Sequence, residues 1–200
     1  MIFSKIRFCT IQTIIYPSPH SFIINRDYVE NTSHINEIYK KVLYPIFDIK
    51  IDVNEDETYT VLKDDKNIAK VQNMEFNLNS LARTLAGHIE DKTWLLFVGE
   101  RNSGKGVIQD GLISVFGDYI GTFNSENLIS KPSIGEATKQ NAWLCDLEFR
   151  RLVFGSELSI RLDNRGNHVN KLNGTLLKII MSGGDKLTAR TNGTQRPAII

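Results

Sequence analysis

Hydrophobic positions along the chain fall into alternating runs, helical stripes and one run that is apolar without a break. Ile2, Phe3, Ile6 and Phe8, then Ile11, Ile14, Ile15 and Tyr16, predict one or two strands that stop at Pro17-Ser18-Pro19. Phe22-Ile23-Ile24 is a short apolar run after that break. Ile35, Ile38, Val42 and Ile46, widened by Tyr39 and Leu43, give a helix capped by Thr32 or Ser33. Pro45 should kink or end it, because proline brings no N–H and its ring crowds the preceding turn. Ile49, Ile51 and Val53 alternate with polar residues as in a half-buried strand, and Thr58 to Leu62 returns as a hairpin partner. Lys63 to Asn67 is polar and loop-like, and a helix is expected from near Asn77, with Leu78, Leu81, Ala82, Leu85, Ala86 and Ile89 on one stripe.

In the second half, Trp94 to Val98 reads as a buried strand, and Val107, Ile108, Leu112, Ile113, Val115 and Phe116 as a helix with one broad apolar face. A turn and short strand follow at Gly117 to Phe123, a further helix is expected around Ala137 to Leu144, and Arg150 to Glu157 is a second buried-strand candidate that ends in an acid. Leu172, Leu176, Ile179 and Ile180 mark a helix closed by Ser182-Gly183-Gly184. Asn192-Gly193 signals a hairpin before Arg196-Pro197-Ala198-Ile199-Ile200. No internal repeat is evident, and the change in pattern places a boundary near residue 73, with a region 1–73 and a region 74–200.

Between the strand ending at Val98 and the helix beginning near Val107 lies Gly99-Glu100-Arg101-Asn102-Ser103-Gly104-Lys105-Gly106. Strand, Gly-x-x-x-x-Gly-Lys and helix, in that order, form a phosphate-binding loop. The glycines let backbone N–H groups turn inward on a phosphate, the helix N-terminus adds partial positive charge, and Lys105 reaches the outer phosphates as a point charge. The plain alternative is a Gly-rich turn. The usual motif ends in Ser or Thr, whose hydroxyl ligates Mg²⁺; here Gly106 stands in that place. Hydrolysis also requires an acid at the end of a neighbouring strand. Leu152-Val153-Phe154-Gly155-Ser156-Glu157 supplies Glu157, with Ser156 where many such sites carry a first acid; Asp146, after Ala142-Trp143-Leu144-Cys145, competes with it. An exposed Glu at a strand end is the plain reading of Glu157.

Composition narrows the picture without adding chemistry. A hydrophobic fraction of 41% and a charged fraction of 24% are those of a soluble globular chain, and a net charge of +1 neither favours nor excludes nucleic acid. Cys9 and Cys145 are read as reduced core residues, and His20, His34, His88 and His168 have no metal-ligand spacing. No apolar run reaches membrane-spanning length, and the broken apolar start does not read as a signal peptide, so no membrane partner and a cytosolic compartment are expected.

Leu81-Ala82-Arg83-Thr84-Leu85-Ala86-Gly87 followed by the Gly99–Gly106 loop resembles the superfamily III helicases of DNA viruses, and most of all the poxvirus-type primase–helicases of large nucleocytoplasmic DNA viruses. Arg151-Leu152-Val153 leading to Ser156-Glu157 agrees, as does Lys178 followed by Gly183-Gly184-Asp185-Lys186-Leu187-Thr188-Ala189-Arg190. The likeness runs from about residue 75 to 190. It implies an α/β fold: a P-loop NTPase, AAA+-like core with a central parallel sheet flanked by helices, preceded by a small α+β N-terminal region. It implies a hexameric motor that hydrolyses ATP with Mg²⁺ and moves single-stranded DNA through a central channel, in the host cytoplasm or a viral replication compartment. Gly99, Gly104 and Lys105 would bind the triphosphate, with the other loop residues Glu100, Arg101, Asn102, Ser103 and Gly106 around it. Glu157 would align the attacking water, and Ser156 and Glu157 would face the metal. Lys186, Arg190 and Arg196 would contact nucleic-acid phosphates, which give affinity without reading sequence; ordinary surface charge is the plain reading of all three. The family continues into a sensor strand and an arginine finger, so the resemblance implies a core incomplete at its C-terminus. A non-catalytic module that docks on an intact helicase is therefore the second expectation.

Overall fold

Leu152–Gly155 is buried along its whole length, and the larger part of the molecule is built on it. A strand apolar at every position, as here, is covered on both faces. The protein is described from a computed structural model, in which residues 6–12, 34–55, 58–88, 90, 92–130, 141–158, 171–182, 188–190 and 197–199 are described. Two compact units emerge, one of residues 1–24 with 84–200 and one of residues 25–83. The sequence-based boundary near residue 73 differs from this division, because the first strand, β1 (Ile6–Gln12), hydrogen-bonds into the sheet of the later residues.

That sheet contains β1, β4 (Leu95–Val98), β5 (Ile120–Phe123) and β6 (Leu152–Gly155) in the order β4-β1-β6-β5. β1 runs antiparallel to both β4 and β6, and only β5 and β6 pair in parallel. The expected central parallel sheet is thus a mixed one, with a small parallel part. A helix α4 (Lys105–Phe116) follows β4, and α5 (Gly174–Ser182) lies late in the chain. Phe123, Leu128, Leu144, Leu147, Val153, Leu176, Leu177 and Ile180 form the core of this unit. Trp143 stacks on Phe123 with centroids 5.0 Å apart. The Asn173 side-chain oxygen accepts the N–H of Leu176 and caps α5. Farther on, β7 (Thr188–Arg190) and β8 (Pro197–Ile199) pair antiparallel, as the hairpin signal predicts, although the turn itself lies outside the described residues.

Two expectations shift. Trp94 to Val98 is not fully buried: Leu96 and Val98 are exposed, because β4 ends the described sheet and is covered less completely than β6. α4 has no buried residue; Ile108, Leu112 and Phe116 are half-buried at four-residue spacing, while Val107, Ile113 and Val115 face solvent.

The unit of residues 25–83 contains a helical turn α1 (Ile35–Ile38), a π-helical stretch Tyr39–Leu43, and α2 (Tyr44–Ile46). Pro45 explains the widened turn. Its ring has no N–H to give and would crowd the carbonyl four residues back, and the Tyr44 N–H instead reaches Tyr39 O. β2 (Ile51–Val53) and β3 (Tyr59–Val61) form the expected hairpin, with Ile51 opposite Val61 and Val53 opposite Tyr59.

α3 (Asp65–Ala86) starts well before the expected Asn77, so Lys63 to Asn67 is a helix entry rather than a solvated loop. The Asp64 carboxylate accepts the Asn67 N–H at 2.9 Å. The side chain of Asn67, which is 2% exposed, then ties the helix to the hairpin. Its Oδ1 accepts the Lys50 N–H, and its Nδ2 donates to the carbonyls of Lys50 and Leu62. Val71, Met74, Leu78 and Leu81 carry the helical spacing upstream of where the sequence reading starts it. Among the described residues, no helix is long and apolar enough to cross a membrane.

Candidate functional site

Thr10 in β1 fixes the geometry of the site, because it lies opposite Leu95 of β4 on one side and Phe154 of β6 on the other. Two strands antiparallel to the same neighbour are parallel to each other. β4 and β6 therefore end at the same edge of the sheet, two strand spacings or about 10 Å apart. Three residues beyond Thr10's partners come Val98, where the loop begins, and Glu157. The sheet thus brings the Gly99–Gly106 loop and the Ser156-Glu157 pair level with one another. Asp146 falls instead in a 3-10 helix, Ala142–Leu147, and not at a strand end.

The loop curls through two left-handed residues, Asn102 at φ 63° and Gly104 at φ 81°. Such alternation turns successive N–H groups toward one side and makes an anion-binding concavity. α4 opens directly on Lys105, with the Val107 and Ile108 N–H groups donating to the Gly104 carbonyl, and its positive end faces the loop. The Lys105 ammonium donates to the Glu100 carbonyl at 2.8 Å and also to the Ser103 hydroxyl. Gly99 is needed by close approach: a Cβ there would lie 3.0 Å from Ser103 Oγ and 3.1 Å from Lys105 Nζ. A Cβ at Gly106 would meet nothing within 4 Å, so no crowding requires glycine there.

On the opposite side, Ser156 is held in place. Its N–H donates to the Phe123 carbonyl, extending the β5–β6 pairing by one residue. Its hydroxyl accepts the Ser125 N–H at 3.0 Å and donates to Asn124 Oδ1 at 3.5 Å. The fully buried Ser125 hydroxyl donates in turn to the Ser156 carbonyl at 2.5 Å. Glu157, next along, is exposed. Between α4 and the ends of β5 and β6 lies a cavity of about 520 Å³, lined by Gln109, Phe123, Asn124, Phe154, Gly155 and Ser156 among others. Gln109, Asn124 and Ser125 carry no motif that marks them. Asn124-Ser125-Glu126 is legible only as the capped start of a 3-10 helix, since Asn124 Oδ1 accepts the Glu126 N–H, and its partner Ser156 lies far along the chain.

The arrangement has the chemistry that suits a polyanion: a loop turned by two left-handed residues, a helix N-terminus and one ammonium lie together. It is a poor holder of Mg²⁺. Gly106 offers no side-chain oxygen, the Ser103 hydroxyl carries a lysine ammonium, and the Ser156 hydroxyl already bonds Ser125 and Asn124. Among the described residues, no group of three or more His, Cys, Asp or Glu side chains is placed to hold a metal ion. Cys145 is a free, half-buried thiol whose pKa is raised, first by burial and then by the charges of Asp146 and Glu148, which favours the inert thiol over the reactive thiolate. Of the candidate nucleic-acid contacts, Lys186 and Arg196 lie outside the described residues. Arg190 ends β7, opposite Pro197.

Over 115 residues, 56% of its length, the chain is 37% identical to a protein described as "Putative helicase V13" of Sputnik virophage. The match spans 14% of that much longer protein. No protein-family model matches the chain, and no solved structure matches it. The likeness is therefore to part of a viral helicase.

Proposed function

We propose that the chain is a nucleotide-binding module of helicase type from a viral replication protein, with the P-loop NTPase core of a superfamily III, AAA+-like motor. The observation that carries this reading is the level placement of two chain segments at one sheet edge: Val98, after which the loop leads to Lys105 at the head of α4, and Glu157 beyond β6. ATP is the proposed ligand. Gly99 and Gly104 let the loop backbone close on the phosphates, and Lys105 exchanges its contacts with Glu100 and Ser103 for the outer phosphate oxygens. The Glu157 carboxylate takes the proton of an attacking water or orients it. Arg190, with Lys186 and Arg196, is proposed to meet the phosphates of single-stranded DNA, and a ring of six copies follows from the family resemblance.

A second reading is favoured by Gly106 and by the engaged Ser156 hydroxyl: a module that binds nucleotide and docks on an intact helicase without turning it over. Steady-state ATP hydrolysis, with and without single-stranded DNA, separates the two. Turnover stimulated by DNA and lost in Glu157→Gln supports the motor. Retained nucleotide with no turnover under either condition supports the docking module and rejects the motor.

A further inference from the structure

We infer that this site takes its nucleoside triphosphate without any divalent cation held by the protein, so that free and magnesium-bound nucleotide are equivalent ligands. The inference rests on the nucleotide-binding reading above and says how that site differs from an ordinary phosphate-binding loop. In the ordinary loop, the residue after the lysine gives a hydroxyl to Mg²⁺ and an acid at the end of the neighbouring strand supports it. The present chain has Gly106 and Ser156 at those places.

Two hydroxyls are the candidates to substitute, Ser103 in the loop and Ser156 after β6, and each already has hydrogen-bond partners. Ser103 Oγ accepts the Lys105 ammonium, so a cation there would sit against an existing positive charge. Ser156 Oγ accepts the Ser125 N–H and donates to Asn124 Oδ1, while the Ser125 hydroxyl fastens the Ser156 carbonyl from below. These contacts leave Ser156 Oγ one lone pair, but it is a neutral oxygen already shared with the Ser125 N–H and stands where the ordinary site has a charged acid. Among the described residues, the acid that follows β6 is the exposed Glu157. Mg²⁺ requires near-octahedral oxygen coordination and dehydrates reluctantly, so a single exposed carboxylate adds little to what the phosphates and water already give it. The affinity of the site therefore comes from the loop backbone, the α4 N-terminus and Lys105, none of which needs the metal.

Gly106 makes the inference testable by gain of function, because a side chain there meets open space. Binding of a fluorescent ATP analogue is measured for the whole chain in excess magnesium and in EDTA. Wild type should bind equally in both conditions, within about threefold, whereas Gly106→Thr should bind about tenfold tighter with magnesium than with EDTA. Wild-type binding that weakens more than about tenfold in EDTA overturns the inference while leaving the nucleotide site standing. A Gly106→Thr protein that binds nucleotide but gains no magnesium response overturns it as well. Absence of wild-type binding in both conditions overturns the nucleotide reading and this inference together.

Discussion

Lys105 Nζ lies 2.8 Å from the carbonyl oxygen of Glu100, so the cation of the loop is held by the loop's own backbone. Its second contact, with the Ser103 hydroxyl, closes a small ring over Gly99. The lysine is therefore already aimed across the concavity, and a phosphate has only to replace two neutral oxygens. Charge-assisted contacts to phosphate are stronger than those to neutral acceptors, so the exchange favours the ligand.

The two glycines of the loop should respond oppositely to a methyl group. Gly99→Ala puts a Cβ at 3.0 Å from Ser103 Oγ and 3.1 Å from Lys105 Nζ, and should weaken binding of an ATP analogue about tenfold by displacing the ammonium. Gly106→Ala meets no atom and should leave affinity unchanged while raising helix stability by roughly 0.5–1 kcal/mol. Titration of both variants alongside thermal melts checks the contrast.

Ser125 secures the end of β6 from a fully buried position. Ser125→Ala should cost about 1–3 kcal/mol, because it leaves the Ser156 carbonyl without its donor. Urea unfolding followed by tryptophan fluorescence would report this directly, since Trp143 stacks on Phe123 in the same core.

In the other unit, Asn67→Ala should destabilise by about 2–4 kcal/mol. It removes three hydrogen bonds at once from a side chain that is itself buried, and takes their partner from the Lys50 N–H and the Leu62 carbonyl, while the Lys50 carbonyl keeps the Leu62 N–H. Asn67→Asp keeps the acceptor for the Lys50 N–H but sets a carboxylate against two carbonyls, and should be no better. Circular dichroism during urea unfolding would check both.

Tyr44 gives this unit an alkaline limit. Its pKa is pushed up to about 12, first by burial and then by the hydrogen bond and charge of Tyr59. An unfolded tyrosine ionises near pH 10, so between about pH 10 and 12 the folded chain binds the extra proton and stability falls as pH rises. Below pH 10 the contribution is fully present. Absorbance at tyrosinate wavelengths should show one late-ionising group that disappears in Tyr44→Phe, and the variant should lose stability less steeply over that window.

Much of this architecture is legible in the sequence, where the signal is local. The hairpin from Ile51 to Val61, the strand Leu152–Gly155, the loop and its helix, and the pairing of Thr188–Arg190 with Pro197–Ile199 follow from period, turn residues and Gly-Lys spacing. What escapes is long-range. Nothing in Ile6–Gln12 announces that it inserts between β4 and β6, because strand partners are chosen by tertiary packing. The long helix starts at Asp65 rather than near Asn77 because Asp64 and Asn67 read as loop residues, yet one caps the helix and the other is buried with every side-chain group satisfied. Ser156 shows the same limit at the site: the sequence marks it as a missing acid, and only the fold reveals its hold on Ser125.

The claim that the Gly99–Gly106 loop is a nucleotide site is tested most directly by equilibrium titration of a fluorescent ATP analogue into wild type and Lys105→Ala, with circular dichroism to establish that both are folded. Saturable wild-type binding that weakens at least about tenfold in the variant is the predicted result. Equal affinity in the two folded proteins, or no binding by wild type, contradicts it.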